Sequence, residues 1–270
     1  MTSVCAFDTL PLRIITLHAP EYDTVKTAFQ DTGFVNPVSR FTAVNGKERQ
    51  AQLKDDGVLS IRALCEIEKM KTREAHSSLP SWGGVGCYLS HETLWHEATA
   101  SQHGIIIAEA DAFPLPDAMA GATAAFDELV LRLGGLPDVL HIGYFFSVDA
   151  QPYKGVTTCT RTMNRILGLQ CYYISPRGAK MLLKRSRPIE IQVDSYMGYC
   201  YSLNIDTLKA FQTVRSFVIQ KSLTGTTIQT KRVEDLAGGL NGTGDAFNTS
   251  IAFLVGCLFI LLVLHFNTNK

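Results

Sequence analysis

The chain has 270 residues, 46% of them hydrophobic, which suits one large domain or one domain with an appendage. Its 25 basic residues balance 25 acidic ones, so no basic excess points to nucleic acid. The seven cysteines contain no CxxC pair, which argues against a zinc ribbon or a thioredoxin-like motif and fits reduced thiols better than a disulfide scaffold.

In chain order, the opening MTSVCAFD has neither a basic n-region nor a long apolar run, so no signal peptide is read there. Residues 12–17 (LRIITL) are short, β-branched and apolar and predict a buried strand. Pro20 opens a predicted helix with Val25, Ala28 and Phe29 on one side, stopped by Gly33. Residues 40–44 predict a second strand, closed by the turn pair Asn45-Gly46. The segment 50–81 is polar, with a helix expected over 61–70. Gly83-Gly84-Val85-Gly86 then leads into a helix from Cys87 to about Ser101, which Gly104 ends. A glycine-rich helix entry lets backbone N–H groups meet an anion. This one lacks the Walker Lys-Ser/Thr and does not match G-x-G-x-x-G, so a structural turn is the commoner explanation.

Residues 105–108 (IIIA) predict a fully buried strand that ends in Glu109-Ala110-Asp111. Acid-x-acid triplets arise by chance, and Glu21-Tyr22-Asp23 and Glu66-Ile67-Glu68 match as well. What separates this copy is four apolar residues before acids at the point where the strand leaves the core. Carboxylates there are costly unless exposed, paired or metal-bound, and they suit a hard divalent ion, Mn²⁺ or Mg²⁺. Further on, a helix is predicted over 126–133, strands over 138–143 and 170–175, and a helix over 177–184 with Pro176 first. A short helix over 194–201 and a last strand over 211–219 follow. Asp194 stands at a helix start, where an N-cap is the bland reading and a general base the functional one. His91 and His96 fit no Ser/His/Asp constellation. Strands alternating with helices indicate a layered α/β sheet, whose ligands sit outside the carboxyl ends of strands.

These segments together resemble glycosyltransferase family 25, a group of bacterial lipooligosaccharide galactosyltransferases, collagen galactosyltransferases and large-virus relatives. Arg13-Ile14-Ile15-Thr16-Leu17 is similar to its opening strand, and Arg40-Phe41-Thr42-Ala43-Val44-Asn45-Gly46 to its RF-x-A-V-x-G segment. Gly86-Cys87-Tyr88-Leu89-Ser90-His91 with Leu94-Trp95 resembles G-C-x-L-S-H-x-x-L-W, the most specific match. Residues 106–111 sit where the family has an apolar strand ending in Glu-Asp-Asp, with Ala110 here in place of the middle acid. Residues 138–143, 172–183 and 188–197 resemble D-x-x-x-L-G, Y-x-I-S-x-x-G-A-x-x-L-L and P-I-x-x-x-V-D-x-x-M. Phe217-Val218-Ile219-Gln220 resembles the closing P-x-x-x-Q region, and His18-Ala19-Pro20 stands where the family often has a D-R type sequence.

The resemblance, spanning roughly residues 12–230, implies a GT-A-type nucleotide-sugar-binding fold with a mixed central sheet. It implies inverting transfer of a hexose, galactose or glucose, from a nucleoside-diphosphate sugar to a glycan or protein acceptor. Asp111 and Glu109 are then the expected metal ligands for Mn²⁺ or Mg²⁺, and Asp111 and Asp194 the expected catalytic residues, with Asp194 as base. Glu109, Asp111, Gly86 and His91 are expected at the donor, His91 as a site-shaping residue. The rival readings are a catalytically silent membrane-anchored binding protein and a structural envelope protein that keeps the fold.

The far end of the chain is different in kind. Residues 251–264 (IAFLVGCLFILLVL) contain no polar side chain, and no Lys, Arg, Asp or Glu occurs from 246 to 266. About 21 residues at ~1.5 Å each reach ~30 Å, a bilayer core. The expected organisation is therefore a glycosyltransferase domain over 1–235, a polar linker over 236–248 and a transmembrane anchor over 249–266. Insertion tail-first leaves the catalytic domain in the cytosol and the sequons at Asn241 and Asn248 unmodified.

Overall fold

The computed structural model describes residues 5–69, 78–79, 81–204 and 206–221. After a 3-10 turn at Phe7–Thr9, β1 (Leu12–Thr16) leads into α1 (Ala19–Asp31), β2 (Val38–Thr42), α2 (Gln50–Asp55) and α3 (Ile61–Lys69). The long α4 (Trp82–Ala100) follows, then β3 (Ile105–Glu109), β4 (Ala112–Pro114), α5 (Ala118–Leu133) and β5 (Val139–Gly143). Four short strands come next: β6 (Phe146–Ser147), β7 (Ala150–Pro152), β8 (Cys159–Thr162) and β9 (Ile166–Leu167). Then come β10 (Cys171–Ile174), α6 (Pro176–Leu183), α7 (Val193–Leu203), β11 (Ala210–Thr213) and β12 (Val218–Gln220).

Eight strands form one sheet in the order β2-β1-β3-β10-β5-β11-β8-β7. β1 is parallel to both β2 and β3, and β5 to β11, while β10 and β8 run antiparallel to the strands on either side of them. The central sheet is therefore mixed, as expected. Its register gathers one edge of the molecule: Ala108 lies opposite Cys171, and Gly143 at the end of β5 lies opposite the same residue. The carboxyl ends of β3 and β5 thus meet the entry of β10.

Side chains alternate across a strand, so the sheet buries two cores. Ile15, Ile105, Ile107, Tyr172 and Ile174 pack on one face with α4, α6 and α7. Leu12, Ile14, Ile106, Ala108 and Tyr173 pack on the other with α1 and α5. Covered on both sides, β3 can only be an unbroken apolar run. Each large side chain so buried contributes about 1.5–3 kcal/mol, and Trp95, Tyr172 and Phe126 are among the largest.

Several expectations shift. α4 begins at Trp82 and takes the glycine run into its first turns, because the hydroxyl of Ser81 caps it by accepting from the Gly84 N–H at 3.2 Å. The last predicted strand is two strands. β11 pairs with β5 and β8, the chain bends at Val214–Phe217, and β12 pairs with β4 in a separate two-stranded sheet. Among the described residues no helix is long and apolar enough to cross a membrane. The expected anchor at 249–266 and linker at 236–248 lie outside the described residues.

Candidate active site

Only residues 101–104 join α4 to β3, so α4 runs back along the sheet and brings its first turns to the carboxyl end of β3. That end is built around a contact between glycines. A Cβ on Gly86 would stand 2.3 Å from the Val44 carbonyl oxygen, and one on Gly46 would stand 1.9 Å from that of Trp82. Both positions therefore need glycine. Ser90 tightens the joint: its hydroxyl accepts from the Val44 N–H at 2.9 Å and donates to the Gly86 carbonyl at 2.7 Å. Asn45 shapes the turn between them by accepting from the Lys47 N–H. Gly86, expected at the donor, is buried against this neighbouring backbone. Its Cα therefore has a packing role whatever else the turn does.

One helical turn on, His91 is fully buried. The indole N–H of Trp95, which can only donate, reaches the Tyr172 oxygen at 2.9 Å, and His91 Nδ1 lies 2.9 Å from that same oxygen. The phenol proton then goes to Nδ1, which leaves the other ring nitrogen protonated. His91 Nε2 accordingly donates to Glu109 Oε1 at 3.2 Å. The chain Trp95–Tyr172–His91–Glu109 thus ends in an oriented carboxylate. Tyr172 and Trp95 have no acid or nucleophile signature, so reading for chemistry passes them over; they sit in segments whose resemblance marks them without assigning a role. The Cys87 thiol also points at Glu109 Oε1, at 3.9 Å. Burial first, then the charges of Glu109, Asp194 and Asp111, push that thiol well above its ordinary pKa.

Asp111 lies in the turn between β3 and β4. Its Oδ2 accepts from the Gln220 side chain at 2.7 Å, and its carbonyl accepts from the Lys221 N–H at 2.8 Å. Its Oδ1 is buried and, among the described residues, has no hydrogen-bond partner. Burial, then the neighbouring Glu109 carboxylate, push Asp111 up to about 6, against the pull of the Gln220 and backbone hydrogen bonds. Two carboxylates crowded at a strand end, one with an orphaned oxygen, form a socket for positive charge. Arg40, midway along β2, reaches the end of β1, donating to Thr16 Oγ1 and to the Leu17 carbonyl.

Asp194 is not the helix cap that its position suggested. The cap position belongs to Gln192, whose side chain makes no capping bond, and α7 begins at Val193. Asp194 Oδ2 accepts from the Gly168 N–H at 3.4 Å and Oδ1 from the Ser195 N–H at 2.6 Å. The carboxylate therefore ties α7 to the loop before β10, and its charge reaches Cys87 together with those of Glu109 and Asp111. Three acids expected from sequence converge on this edge, although Asp194 lies more than 80 residues beyond the other two. Phe145 and Phe146, 77% and 53% exposed, follow the end of β5 and are anchored by the bond from the Phe145 N–H to the Leu167 carbonyl.

Residues 22–131 match the model of glycosyltransferase family 25 (LPS biosynthesis protein). The match covers less than half of the chain, and takes in Gly86, His91, Glu109 and Asp111 but not Asp194. No curated protein matches the sequence. Among solved structures, the chain is similar to A197 from STIV, with 10% identity, a TM-score of 0.39, and coverage of 78% of this chain and 83% of that one. It is also similar to the inositol-1-phosphate CTP transferase from T. maritima, with 12% identity, a TM-score of 0.31, and coverage of 88% and 99%. Likenesses this distant carry no functional inference.

Proposed function

We propose that this chain is a glycosyltransferase of GT-A type that transfers a hexose, galactose or glucose, from a nucleoside-diphosphate sugar to a glycan or protein acceptor with inversion. The observation that carries the reading is Asp111. Its buried, unpartnered Oδ1 sits beside Glu109 at the carboxyl end of a central strand, inside the stretch that matches a glycosyltransferase family.

The residues present fit a hard divalent ion, Mn²⁺ or Mg²⁺. Such an ion takes oxygen ligands, and it would relieve both the orphaned Oδ1 and the repulsion between the two acids. When bound, the ion supplies charge stabilisation to a leaving diphosphate. Asp111 would hold it, with Glu109 as the second carboxylate. His91 keeps Glu109 aimed by its Nε2–H, and Tyr172 and Trp95 keep His91 in that tautomer. Gln220 holds the other oxygen of Asp111, so its orphaned Oδ1 has one direction to face. Asp194 is the acceptor-side base in this reading: it takes a proton from the acceptor hydroxyl as that oxygen attacks the sugar from the face opposite the departing diphosphate. The apolar run at 251–264 is proposed as a membrane anchor, with the catalytic domain on the cytosolic side.

The test is a panel of nucleotide sugars given to the full chain with Mn²⁺, read as released nucleoside diphosphate and, in parallel, as thermal shift. Turnover of a hexose donor that Asp111→Asn abolishes is the expected result. A diphosphate-induced thermal shift without turnover would replace the enzyme with a binding protein. Absence of both would leave a structural protein.

A further inference from the structure

We infer that Cys87, His91 and Glu109 form a three-ligand site for a borderline divalent cation, Zn²⁺ above all, separate in kind from the oxygen socket at Asp111. Cys87 and His91 stand four residues apart on one face of α4, and Glu109 meets them from the end of β3. Their ligand atoms lie within 4.8 Å of one another. His91 Nε2 is 3.2 Å from Glu109 Oε1, and Cys87 Sγ is 3.9 Å from the same oxygen. A tetrahedral zinc with ordinary bonds to sulfur, nitrogen and oxygen sets its ligand atoms about 3.3–3.7 Å apart. Small movements of side chains, with no change of backbone, would close the set.

The donors select the ion. A thiolate and an imidazole favour zinc over Mg²⁺ or Mn²⁺, which prefer oxygen throughout. The outer partner is also in place. A zinc-binding imidazole directs its other nitrogen to a fixed acceptor, and here Nδ1 faces the Tyr172 oxygen, itself held by Trp95. On binding, the Cys87 thiol gives its proton to solvent and the proton on His91 passes from Nε2 to Nδ1. The Tyr172 hydroxyl turns its own proton away from Nδ1, and its oxygen then accepts from both rings. Glu109, 22% exposed beside a fully buried His91, is the way in from solvent. Three protein ligands leave a fourth position open, the arrangement of reactive rather than purely structural zinc sites. Because Glu109 is shared, zinc would withdraw it from the Asp111 socket and inhibit transfer; that consequence alone rests on the proposed function.

Binding is measured on the full chain without a histidine tag, stripped of metal and titrated with Zn²⁺ against a chromogenic chelator, so the readout does not depend on turnover. The expected stoichiometry is one ion per chain. Cys87→Ser should weaken binding by at least about 10–100-fold, the loss that removing even an outer partner produces. Cys65→Ser, at the exposed thiol, should leave it unchanged. Substitution with Co²⁺ should give a thiolate-to-metal charge-transfer band that Cys87→Ser removes. His91→Gln provides a second ligand variant with its own loss of affinity. Undiminished binding in Cys87→Ser, a cobalt complex without the band, or no stoichiometric zinc in the wild type would overturn the site.

Discussion

The wall of the site made by α4 and β3 is closed by buried side chains matched in pairs, whereas the wall made by residues 144–168 and the start of α7 hangs largely on backbone. On the first wall Gly46 and Gly86 touch, Ser90 bonds in two directions, and a four-member chain ends on Glu109. On the second, β7 and β8 extend the edge of the large sheet, while the two-residue strands β6 and β9 pair with each other. Single bonds such as Phe145 to Leu167, Val148 to Arg165 and Gly168 to Asp194 hold the loops around them. A dry, over-determined wall fixes charge in place, as the proposed diphosphate and its ion would require. A thinly held wall would let the proposed acceptor vary in shape.

The comparison breaks most easily at Asp194. Asp194→Asn should lower transfer on the order of 10²–10⁴-fold, the usual worth of a positioned base, while donor binding survives. Since asparagine keeps an acceptor oxygen for the Gly168 or Ser195 N–H, the melting temperature should hardly change. A normal rate in Asp194→Asn would reduce the residue to a strut of the second wall.

Next in size is Tyr172→Phe, which leaves the Trp95 N–H and His91 Nδ1 without partners in the dry interior. Each orphan costs about 1–3 kcal/mol. Melting should fall clearly, and transfer should fall further than stability accounts for if Glu109 loses its aim. Gly86→Ala should cost about 1–3 kcal/mol by overpacking, because the obstructing atoms are backbone and cannot rotate away. Calorimetry checks both, and a silent Gly86→Ala would mean that the first wall yields.

Smaller effects belong to the second wall. Glu128 on α5 receives the N–H and hydroxyl groups of Thr157 and Thr158 just ahead of β8. Burial, the largest single influence, raises the pKa, but the hydrogen bonds from Thr158 and Thr157 together outweigh it, and the net result lies below the ordinary value of 4.5. A carboxyl depressed on folding stabilises the fold above its unfolded pKa and loses that contribution as pH falls below about 4.5 toward the folded value. Glu128→Gln should therefore flatten the fall of melting temperature in that acid window. Phe145→Ala should change stability by no more than about 0.5 kcal/mol, as exposed positions do. Its acceptor KM is the quantity to follow, and an unchanged KM would detach that side chain from the acceptor.

The same contrast decides what the amino-acid order discloses. β3 is readable because burial on both faces writes an unbroken apolar run. The body of α4 is readable too, but its start is not, because the Ser81 cap stands ahead of a glycine run that reads as a turn. Glu109 and Asp111 follow from where the apolar run of β3 stops. Residues 144–168 are not readable, since strands of two to four residues are too short to show a period of their own. The split of 211–219 escapes for a related reason: Thr213 Oγ1 donates back to the Arg215 carbonyl, and the chain leaves one sheet for another with no Gly or Pro at the bend to announce it. Asp138, legible only as the start of a strand, is buried and ties Arg177 and the Lys209 N–H together, which no local pattern announces. Cys87 and Tyr172 become meaningful only when α4 and β10 are set beside Glu109.

The strand β12 ends in a clasp: Gln220 grips the carboxylate of Asp111 and the Lys221 N–H grips its carbonyl. Lys221 is thus harnessed to the socket itself. A pull on Lys221 would load a three-residue strand first, peeling it from β4 and slackening Asp111 before it strained the eight-stranded sheet. The carboxylate sits, in mechanical terms, at the end of a leash.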